Sequence, residues 1–354
     1  MSATPRLTIG LPVYNGQKFI VESIEALLGQ TYTDFELVIS DNASTDSTGE
    51  ICRGYERQDS RVRYFRQAKN IGLSPNHNYV VYQARGELFK WAAGDDLYAR
   101  DLIERCVEAL DEHPEVVLAH CWTARIDPAG TLLSAYEYPL NTSSRSAPER
   151  FRSMLFDSGG DDDYGVIRKD VLLRTAMKES YHHADHTIIA ELALHGRFYQ
   201  VPDWLYFRRE HPNHSGGASM RQRCAIMDPK RADALRHPAV RLYGEYVWAY
   251  IRAIRKSPLT MAGKAACYRH LADWFASRAR PGYAAPSDPV SIEPLPGIPL
   301  DAIVAGHGPS LPGGRPPVPP DPRQLAQTAS VAGDPRPSRE AASESSYFDN
   351  KGKM

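Results

Sequence analysis

Two aspartates follow directly after a short apolar run in residues 89–96, which read FKWAAGDD. Adjacent carboxylates repel each other and are costly to desolvate, so the pair favours a nearby cation. A hard cation such as Mg²⁺ or Mn²⁺ takes one or two carboxylates and fills its coordination with phosphate oxygens and water. Asp95 and Asp96 are therefore candidates for a site that holds a metal and a diphosphate. The alternative is that they open the next helix, where carboxylates favour the helix dipole.

Other polar side chains stand at the ends of apolar runs that alternate as strands do. Tyr14 and Asn15 follow Leu7–Val13, and Asp41 and Asn42 follow the run that begins at Phe35. Ligands of open α/β sheets bind at the carboxyl ends of the strands. We therefore expect these residues, together with Asp46, to converge with the aspartate pair on one crevice.

A third group of candidates lies in YHHADHTIIAELALHG, residues 181–196. Asp185 could accept a proton as a general base, or it could cap the following helix. His182 and His186 lie one helical turn apart and raise a zinc alternative, but no HExxH motif or cysteine accompanies them. Asp161–Asp163 contain a literal DxD after two glycines, which favours a solvated loop.

Strand and helix periods alternate through the first 130 residues, which predicts an α/β fold with a mainly parallel, doubly wound sheet and helices on both faces. Ser47 and Glu50 have the spacing of a capping box. Residues 240–279 carry helical apolar stripes, with Tyr243, Tyr246, Trp248 and Tyr250 in one of them.

Four segments follow from these shifts in pattern. They are residues 1–130, a nucleotide-binding half; 131–230, an acceptor half of the same domain; 231–280, a helical extension; and 281–354, a tail. The tail holds 15 of the 27 prolines and few apolar clusters, so it is predicted to be disordered.

Composition excludes several classes of protein. With a formal net charge of -1 over 354 residues, the chain shows no basic excess for binding nucleic acid. Five cysteines at wide spacings predict free thiols, and the absence of a signal sequence or long apolar run predicts a cytoplasmic protein. No GxxxxGK[ST] loop occurs, so a bound diphosphate would be neutralised by metal and side chains.

Four motifs in the first hundred residues resemble the family 2 glycosyltransferases of the GT-A fold. They are LTIGLPVYNG, ELVISDNASTD, KNIGLSPNHN and WAAGDD, in that order. The resemblance covers roughly residues 5–215. It implies a nucleoside-diphosphate sugar donor, a Mn²⁺ or Mg²⁺ cofactor, and inverting transfer of a sugar to an acceptor hydroxyl.

The resemblance also implies roles for individual residues. Pro12, Tyr14 and Asn15 would line the base and ribose, Asp41 would accept a hydrogen bond from the base, and Asn42 belongs to the same segment. Asp95 would face the ribose or sugar, and Asp96 would ligate the metal, with Gly94 in the first position of the usual DxD.

Two more segments match the family in part. Asp185 is implied as the catalytic base, although Ala184 stands where the family usually has glutamate. In FRREHPNHS, His211 would complete the metal coordination, and Arg208 or Arg209 would stabilise the departing diphosphate.

Several alternatives stay open at this point. The chain lacks the QxxRW segment of processive synthases, so transfer of one sugar to a glycan or lipid-linked precursor is expected. A degenerate domain that binds a nucleotide sugar without turnover, and a sugar-phosphate nucleotidyltransferase, are the alternative functions. Peripheral contact with a membrane and a homo-oligomer are further expectations, and the helical extension is the candidate surface for either.

Overall fold

Strands and helices alternate through the N-terminal half of the chain, at the positions that the hydrophobic periods predict. A computed structural model of the chain describes residues 4–136, 138, 140–157, 162–181, 183–211, 219–278 and 291–292. The strands are β1 Leu7–Val13, β2 Phe35–Asp41, β3 Val62–Arg66, β4 Leu88–Trp91, β5 Leu97–Tyr98, β6 Val116–Ile126, β7 Leu132–Tyr136, β8 Val166–Arg168, β9 Arg197–Arg209 and β10 Ser291–Ile292. The helices are α1 Ile20–Leu28, α2 Thr48–Gln58, α3 Leu73–Tyr82, α4 Leu102–Glu112, α5 Ala147–Phe156, α6 Lys169–Leu172, α7 Ala184–His195, α8 Met220–Met227, α9 Ala239–Lys256 and α10 Met261–Arg278.

One mixed sheet in the order β10-β7-β6-β8-β4-β1-β2-β3 forms the centre of the fold. Strands β3, β2, β1 and β4 are parallel and are joined by α2, α1 and α3. Their side chains are buried in two apolar clusters, because helices cover both faces of the sheet. The predicted α/β class with helices around the sheet is confirmed.

The parallel order ends at β4. Strand β8 lies antiparallel between β4 and β6, and β7 is antiparallel to β6. A tight turn joins β6 to β7, with Gly130 at φ 88°, and so short a connection can only produce an antiparallel pair. Strand β9 then returns parallel to β6 and also pairs with β5, just after the aspartate pair.

The start of α2 differs from the predicted capping box. Ser47 is the N-cap residue, but its side chain makes no capping hydrogen bond. Asp46 caps this end instead, because its Oδ1 accepts hydrogen bonds from Thr48 N at 3.0 Å and Thr48 Oγ1 at 2.6 Å. Asp46 Oδ2 also accepts a bond from Gln17 N at 3.2 Å. This carboxylate therefore stabilises the helix start and the loop after β1.

Helices α9 and α10 pack with α5 and α7 around a third apolar cluster. Of the predicted aromatic stripe, Tyr246 and Tyr250 are buried in this cluster, whereas Tyr243 and Trp248 are exposed. All five cysteines are buried and free, as predicted. In the part of the chain that the structure describes, no helix has the length and apolar character needed to cross a bilayer.

The boundaries of the four predicted segments stay predictions. The tail predicted for residues 281–354 lies outside the described residues, apart from the short strand β10, which pairs with β7.

Candidate functional site

The carboxyl ends of β1 and β2 meet at one edge of the sheet. Asn42 N donates to Val13 O at 2.8 Å, and Asn15 Oδ1 accepts a hydrogen bond from Thr45 N at 2.8 Å. Asn15 has a left-handed φ of 51°, which turns the chain back over the sheet edge. Pro12 is half-buried in β1, and the Tyr14 side chain next to it is 49% exposed. The predicted convergence of these strand ends is therefore present.

Asp41 is fully buried at the end of β2. Its Oδ1 accepts a hydrogen bond from Ser44 N at 2.7 Å, and its Oδ2 accepts bonds from Tyr64 Oη at 2.7 Å and Arg66 Nη1 at 2.5 Å. Burial raises the pKa of this carboxyl, but the bonds from Ser44 and Tyr64 and the charge of Arg66 outweigh it, so the net pKa is lowered. The carboxylate is thus ionised and holds Arg66 in place, and in this arrangement its oxygens are turned away from solvent.

Asn42 is also turned away from the cleft. Its amide nitrogen donates to Asn70 Oδ1 at 3.1 Å and Gly72 O at 3.2 Å, and its Oδ1 accepts a hydrogen bond from Ile71 N at 2.9 Å. In this conformation the side chain ties the loop before α3 to the end of β2, and the contact of Asn42 with a nucleotide stays a prediction.

The two adjacent aspartates are held in different ways. Asp96 is buried, with Oδ1 bonded to Arg209 N at 2.8 Å and Oδ2 to the Tyr206 hydroxyl. Asp95 is 35% exposed, and its Oδ2 lies 3.0 Å from His211 Nε2. The structure therefore brings His211 to Asp95 rather than to Asp96, the aspartate that the sequence pattern favoured as a ligand.

Gly94 explains why the chain departs from the usual DxD. A Cβ built at this position would lie 3.0 Å from Ile20 Cδ1 and 3.4 Å from Val13 Cγ2. A carboxylate here would face apolar side chains without a polar partner, which is unfavourable. The missing first aspartate of the motif would accordingly point into the core and not toward Asp95.

The two candidate arginines also separate. Arg209 is buried, and its guanidinium donates to Asp95 O and Pro128 O at 2.8 Å each and to Glu22 at 2.6 Å. Arg208 is half-buried, with Nε 3.7 Å from a Glu210 carboxylate oxygen. In this arrangement the donors of Arg209 hold the loop of Asp95 in place, and which of the two arginines contacts a diphosphate stays a prediction.

Asp185 lies in the first turn of α7, after His183 as the N-cap residue. Asp185 is therefore not the N-cap residue, although its Oδ1 accepts a hydrogen bond from the first-turn amide of His186 at 3.0 Å. The surrounding protein desolvates the charged form, which raises the pKa of Asp185. The nearby charges of His186 and Lys178 lower this pKa by a larger amount, so the net pKa is lowered. The carboxylate is thus ionised and able to accept a proton. His182 lies outside the described residues.

Sequence analysis missed a buried charged cluster beside α7. Lys178 Nζ donates to Asp163 Oδ2 at 2.6 Å and lies 4.7 Å from the centre of the Trp91 ring. Asp163 and its neighbour Asp162 are buried, so the predicted solvated loop is wrong for both. Lys90 is also fully buried, and its ammonium donates to Tyr164 O. One signal was present in the sequence, since Lys90 is the single charged residue of the apolar strand LFKW.

Comparison with known proteins gives a family for the segment that contains this site. Residues 8–172 match the model described as Glycosyl transferase family 2. Glycosyltransferase GlyG of Streptococcus pneumoniae is 34% identical over 106 residues, which are 30% of this chain and 35% of that protein. The chondroitin synthase of Escherichia coli is 32% identical over 141 residues, 40% of this chain and 20% of the synthase. The chain thus spans about a third or less of these two relatives.

Two solved structures align with most of the chain at low similarity. Residues 1–349 of TarS from S. aureus, in complex with UDP-GlcNAc, give a TM-score of 0.48 at 16% identity and cover 81% of this chain and 99% of that one. The mannosyltransferase PcManGT of Pyrobaculum calidifontis, in complex with GDP-Man and Mn²⁺, gives 0.46 at 18% identity, covering 79% and 77%.

The family assignment rests on the matched segment and on its relatives. The segment contains β1 to β4 and the aspartate pair, the region in which the four motifs were found. The predicted resemblance to the family 2 glycosyltransferases and the predicted α/β class are confirmed. Residues 8–172, just under half of the chain, match glycosyl transferase family 2.

Proposed function

We propose that this protein is an inverting glycosyltransferase that moves one sugar from a nucleoside-diphosphate sugar to an acceptor hydroxyl. The observation that carries the proposal is the pair Asp95 and His211, 3.0 Å apart at the end of β4 in a family 2 domain. Asp95 is partly exposed there, and the buried Arg209 fixes its backbone.

A divalent metal fits the pair of Asp95 and His211. A carboxylate oxygen and an imidazole nitrogen within 3.0 Å of each other are a donor set that Mn²⁺ accepts, whereas Mg²⁺ prefers oxygen alone. Mn²⁺ is therefore the cofactor we favour, with Asp95 in place of Asp96 as its carboxylate ligand. When bound, the metal would supply positive charge against the charge that grows on the departing diphosphate.

The nucleotide lies at the ends of β1 and β2. Tyr14 and Pro12 contact the base, with Asn15 shaping the turn beside them. Asp41 acts indirectly, because its carboxylate holds Arg66, whose side chain is 39% exposed and lines a pocket with Gly49 at the start of α2. Arg208 is the arginine we assign to the diphosphate, since the guanidinium of Arg209 is already bonded to Asp95 O, Pro128 O and Glu22.

Transfer requires a base for the acceptor hydroxyl, and Asp185 takes that role. Its carboxylate accepts the hydroxyl proton while the acceptor oxygen bonds to the anomeric carbon. The bond from that carbon to the diphosphate oxygen breaks on the opposite side, and the electron pair leaves with the nucleoside diphosphate. Inversion follows from this single displacement.

The first experiment is calorimetric titration of the protein with UDP, dTDP, GDP and ADP, each with and without Mn²⁺. We expect one nucleotide to bind in a metal-dependent manner and Asp95→Asn to weaken that binding about tenfold or more. Asp170→Asn is the matched control, because Asp170 lies exposed on α6 in an ion pair with Arg174.

Transfer is then measured with the sugar of that nucleotide. Asp185→Asn should retain donor binding and lose transfer by about 10²- to 10⁴-fold. Full transfer by Asp185→Asn would place the base elsewhere. Metal-dependent binding with no transfer to any acceptor would instead support a degenerate binding domain.

We further infer that the acceptor is lipid-linked and that the surface around α9 rests on an anionic membrane. Residues 219–256 carry nine Lys or Arg and three Asp or Glu in a chain of net charge -1. Exposed apolar side chains accompany them, including Leu235 at 95% and Val240 at 80%. Apolar and basic side chains on one surface are the combination that binds anionic lipid.

Co-sedimentation with vesicles tests this surface. The protein should bind vesicles of phosphatidylcholine with phosphatidylglycerol, and not phosphatidylcholine alone. Trp248→Ala with Val240→Ala should reduce binding, whereas Tyr82→Ala, which removes an exposed aromatic ring from α3, should not. Equal binding by all three proteins would contradict the assignment.

A further inference from the structure

Three potential metal ligands meet at the N-terminal end of α7. Within the part of the chain that the structure describes, His183, Asp185 and His186 each offer one ligand atom, and all three atoms lie within 4.8 Å of one another. Asp185 and His186 are exposed and His183 is half-buried. The group shares no residue with the pair Asp95 and His211.

The backbone at this point is unusual for the residue that it carries. His183 has a φ of 63° and ψ of 33°, in the left-handed region that residues other than glycine rarely adopt. Such strain persists where the surroundings hold it, and it is common at ligand-binding positions. Here it folds the His183 ring over the first turn of α7, with the His186 ring 5.0 Å away.

The His183 ring also contacts a buried aromatic ring of α9. The Tyr246 ring lies 5.7 Å from it, and Tyr246 is itself buried against Tyr250 and Trp274. One ligand is therefore held by packing, while the other two are exposed and can adjust their rotamers at little cost. A spacing of at most 4.8 Å needs to contract to the ~3.4 Å between ligands of a tetrahedral zinc.

The chemistry of the three ligands selects the metal. Two imidazole nitrogens and one carboxylate oxygen suit Zn²⁺ and similar late transition metals, whereas Mg²⁺ and Ca²⁺ prefer oxygen. Three protein ligands leave a fourth position open.

We propose that His183, Asp185 and His186 form a second metal site, specific for Zn²⁺-like transition metals and distinct from the pair Asp95 and His211. A bound Zn²⁺ takes the carboxylate of Asp185 as a ligand and prevents it from accepting a proton. This consequence rests on the proposed function of Asp185, whereas the existence of the site does not.

The test measures metal binding directly, with Zn²⁺ alone as the probe and the full chain. Calorimetry should show one Zn²⁺ bound to the wild-type protein and to Asp95→Asn. His186→Ala and His183→Ala should weaken that binding at least tenfold, and His113→Ala, at the end of α4, should not. Co²⁺ in place of Zn²⁺ should give visible absorption bands that disappear in the same two variants.

Both results bear on the site independently of any transferase activity. Absence of Zn²⁺ binding, or binding that is unchanged in His183→Ala and His186→Ala, would overturn the proposal. In a transfer assay with excess Mn²⁺, Zn²⁺ should inhibit the wild type and inhibit His186→Ala at least tenfold less. If Zn²⁺ binds as expected but no transfer is found in any assay, the metal site stands and the proposed function of the protein fails.

Discussion

Individual contacts decide which of two neighbouring aspartates is available at this site. The carboxylate of Asp96 is bonded to the backbone of Arg209 and to the Tyr206 hydroxyl, and that leaves Asp95 beside His211. Strand β9 therefore fixes the loop that carries both residues. A change to the Asp96 partners should act on Asp95 through this loop.

Tyr206→Phe tests the connection. It removes the hydroxyl that donates to Asp96 Oδ2 and leaves a buried carboxylate oxygen with one donor fewer. We expect a loss of about 1–3 kcal/mol in the free energy of unfolding, measured by urea denaturation, and weaker Mn²⁺-dependent nucleotide binding.

Tyr199→Phe on the same strand is the control for this variant. The Tyr199 ring stacks on His113 at 5.3 Å, a contact that the substitution keeps. If Tyr206→Phe were as stable as Tyr199→Phe and bound nucleotide with wild-type affinity, the loop would not depend on the hydroxyl of Tyr206.

At the scale of single elements, the start of α2 shows how a helix signal can be misassigned by one residue. Ser47 and Glu50 match the spacing of a capping box, yet Asp46 provides the acceptor for the first turn. A carboxylate is favourable at this end because the helix dipole is positive there. Asp46 also ties the loop after β1 to α2 through Gln17 N.

Two alanine variants distinguish the capping residues. Asp46→Ala should lower the free energy of unfolding by about 1 kcal/mol, while Ser47→Ala should leave it nearly unchanged, by thermal and urea unfolding. Equal losses in the free energy of unfolding for the two variants would indicate that Ser47 caps the helix, as the capping-box spacing predicts.

The hydrogen bonds of Asp46 also predict that the free energy of unfolding depends on pH. Burial raises the pKa of Asp46, but hydrogen bonds from Thr48 and Gln17 lower it more, so its folded pKa lies below the ordinary 3.8. The stabilisation is therefore complete at neutral pH and is lost as the pH falls through the folded pKa. The difference between wild type and Asp46→Ala should shrink in that acidic range.

The whole molecule combines the family 2 domain with a helical part that completes its core. Cys267, Leu271 and Trp274 of α10 are buried with Tyr246 and Tyr250 of α9, in a cluster that also includes residues of α5 and α7. Because α7 carries Asp185, the helical part packs against the helix that holds the proposed base. The helical part therefore stabilises the core, and by our proposal its surface also contacts the membrane.

Two truncations test this dependence. A chain that ends at Arg280 keeps α10 and, among the described residues, loses the two-residue pairing of β10 with β7, so we expect its cooperative unfolding to match that of the full chain. A chain that ends at Lys256 loses α10 and should not unfold cooperatively. Circular dichroism with urea measures both, and a stable, cooperative chain ending at Lys256 would show that α10 is dispensable for the core.

Much of the fold and part of the site follow from local patterns in the sequence. The mainly apolar segments Leu7–Val13 and Phe35–Asp41 form β1 and β2, which are buried on both faces of the parallel sheet. The polar residues just after them are the sequence-based candidates for binding a ligand. The resemblance of four motifs to the glycosyltransferases was sufficient to name the family.

Tertiary structure alone decided how those residues are used. Asp41, Asn42, Asp96 and Arg209 have the residue types of a binding site, but long-range partners consume their hydrogen-bonding groups. Apart from Ser44, which lies close to Asp41 in sequence, these partners lie 23–187 residues away, as with Asp41 and Tyr64 or Arg209 and Glu22. The left-handed His183 and the buried Lys178 likewise depend on packing between distant elements. Sequence fixes which groups are present, but burial and pairing decide which of them remain available for chemistry, because a polar group in a folded chain binds whichever partner the fold brings within reach.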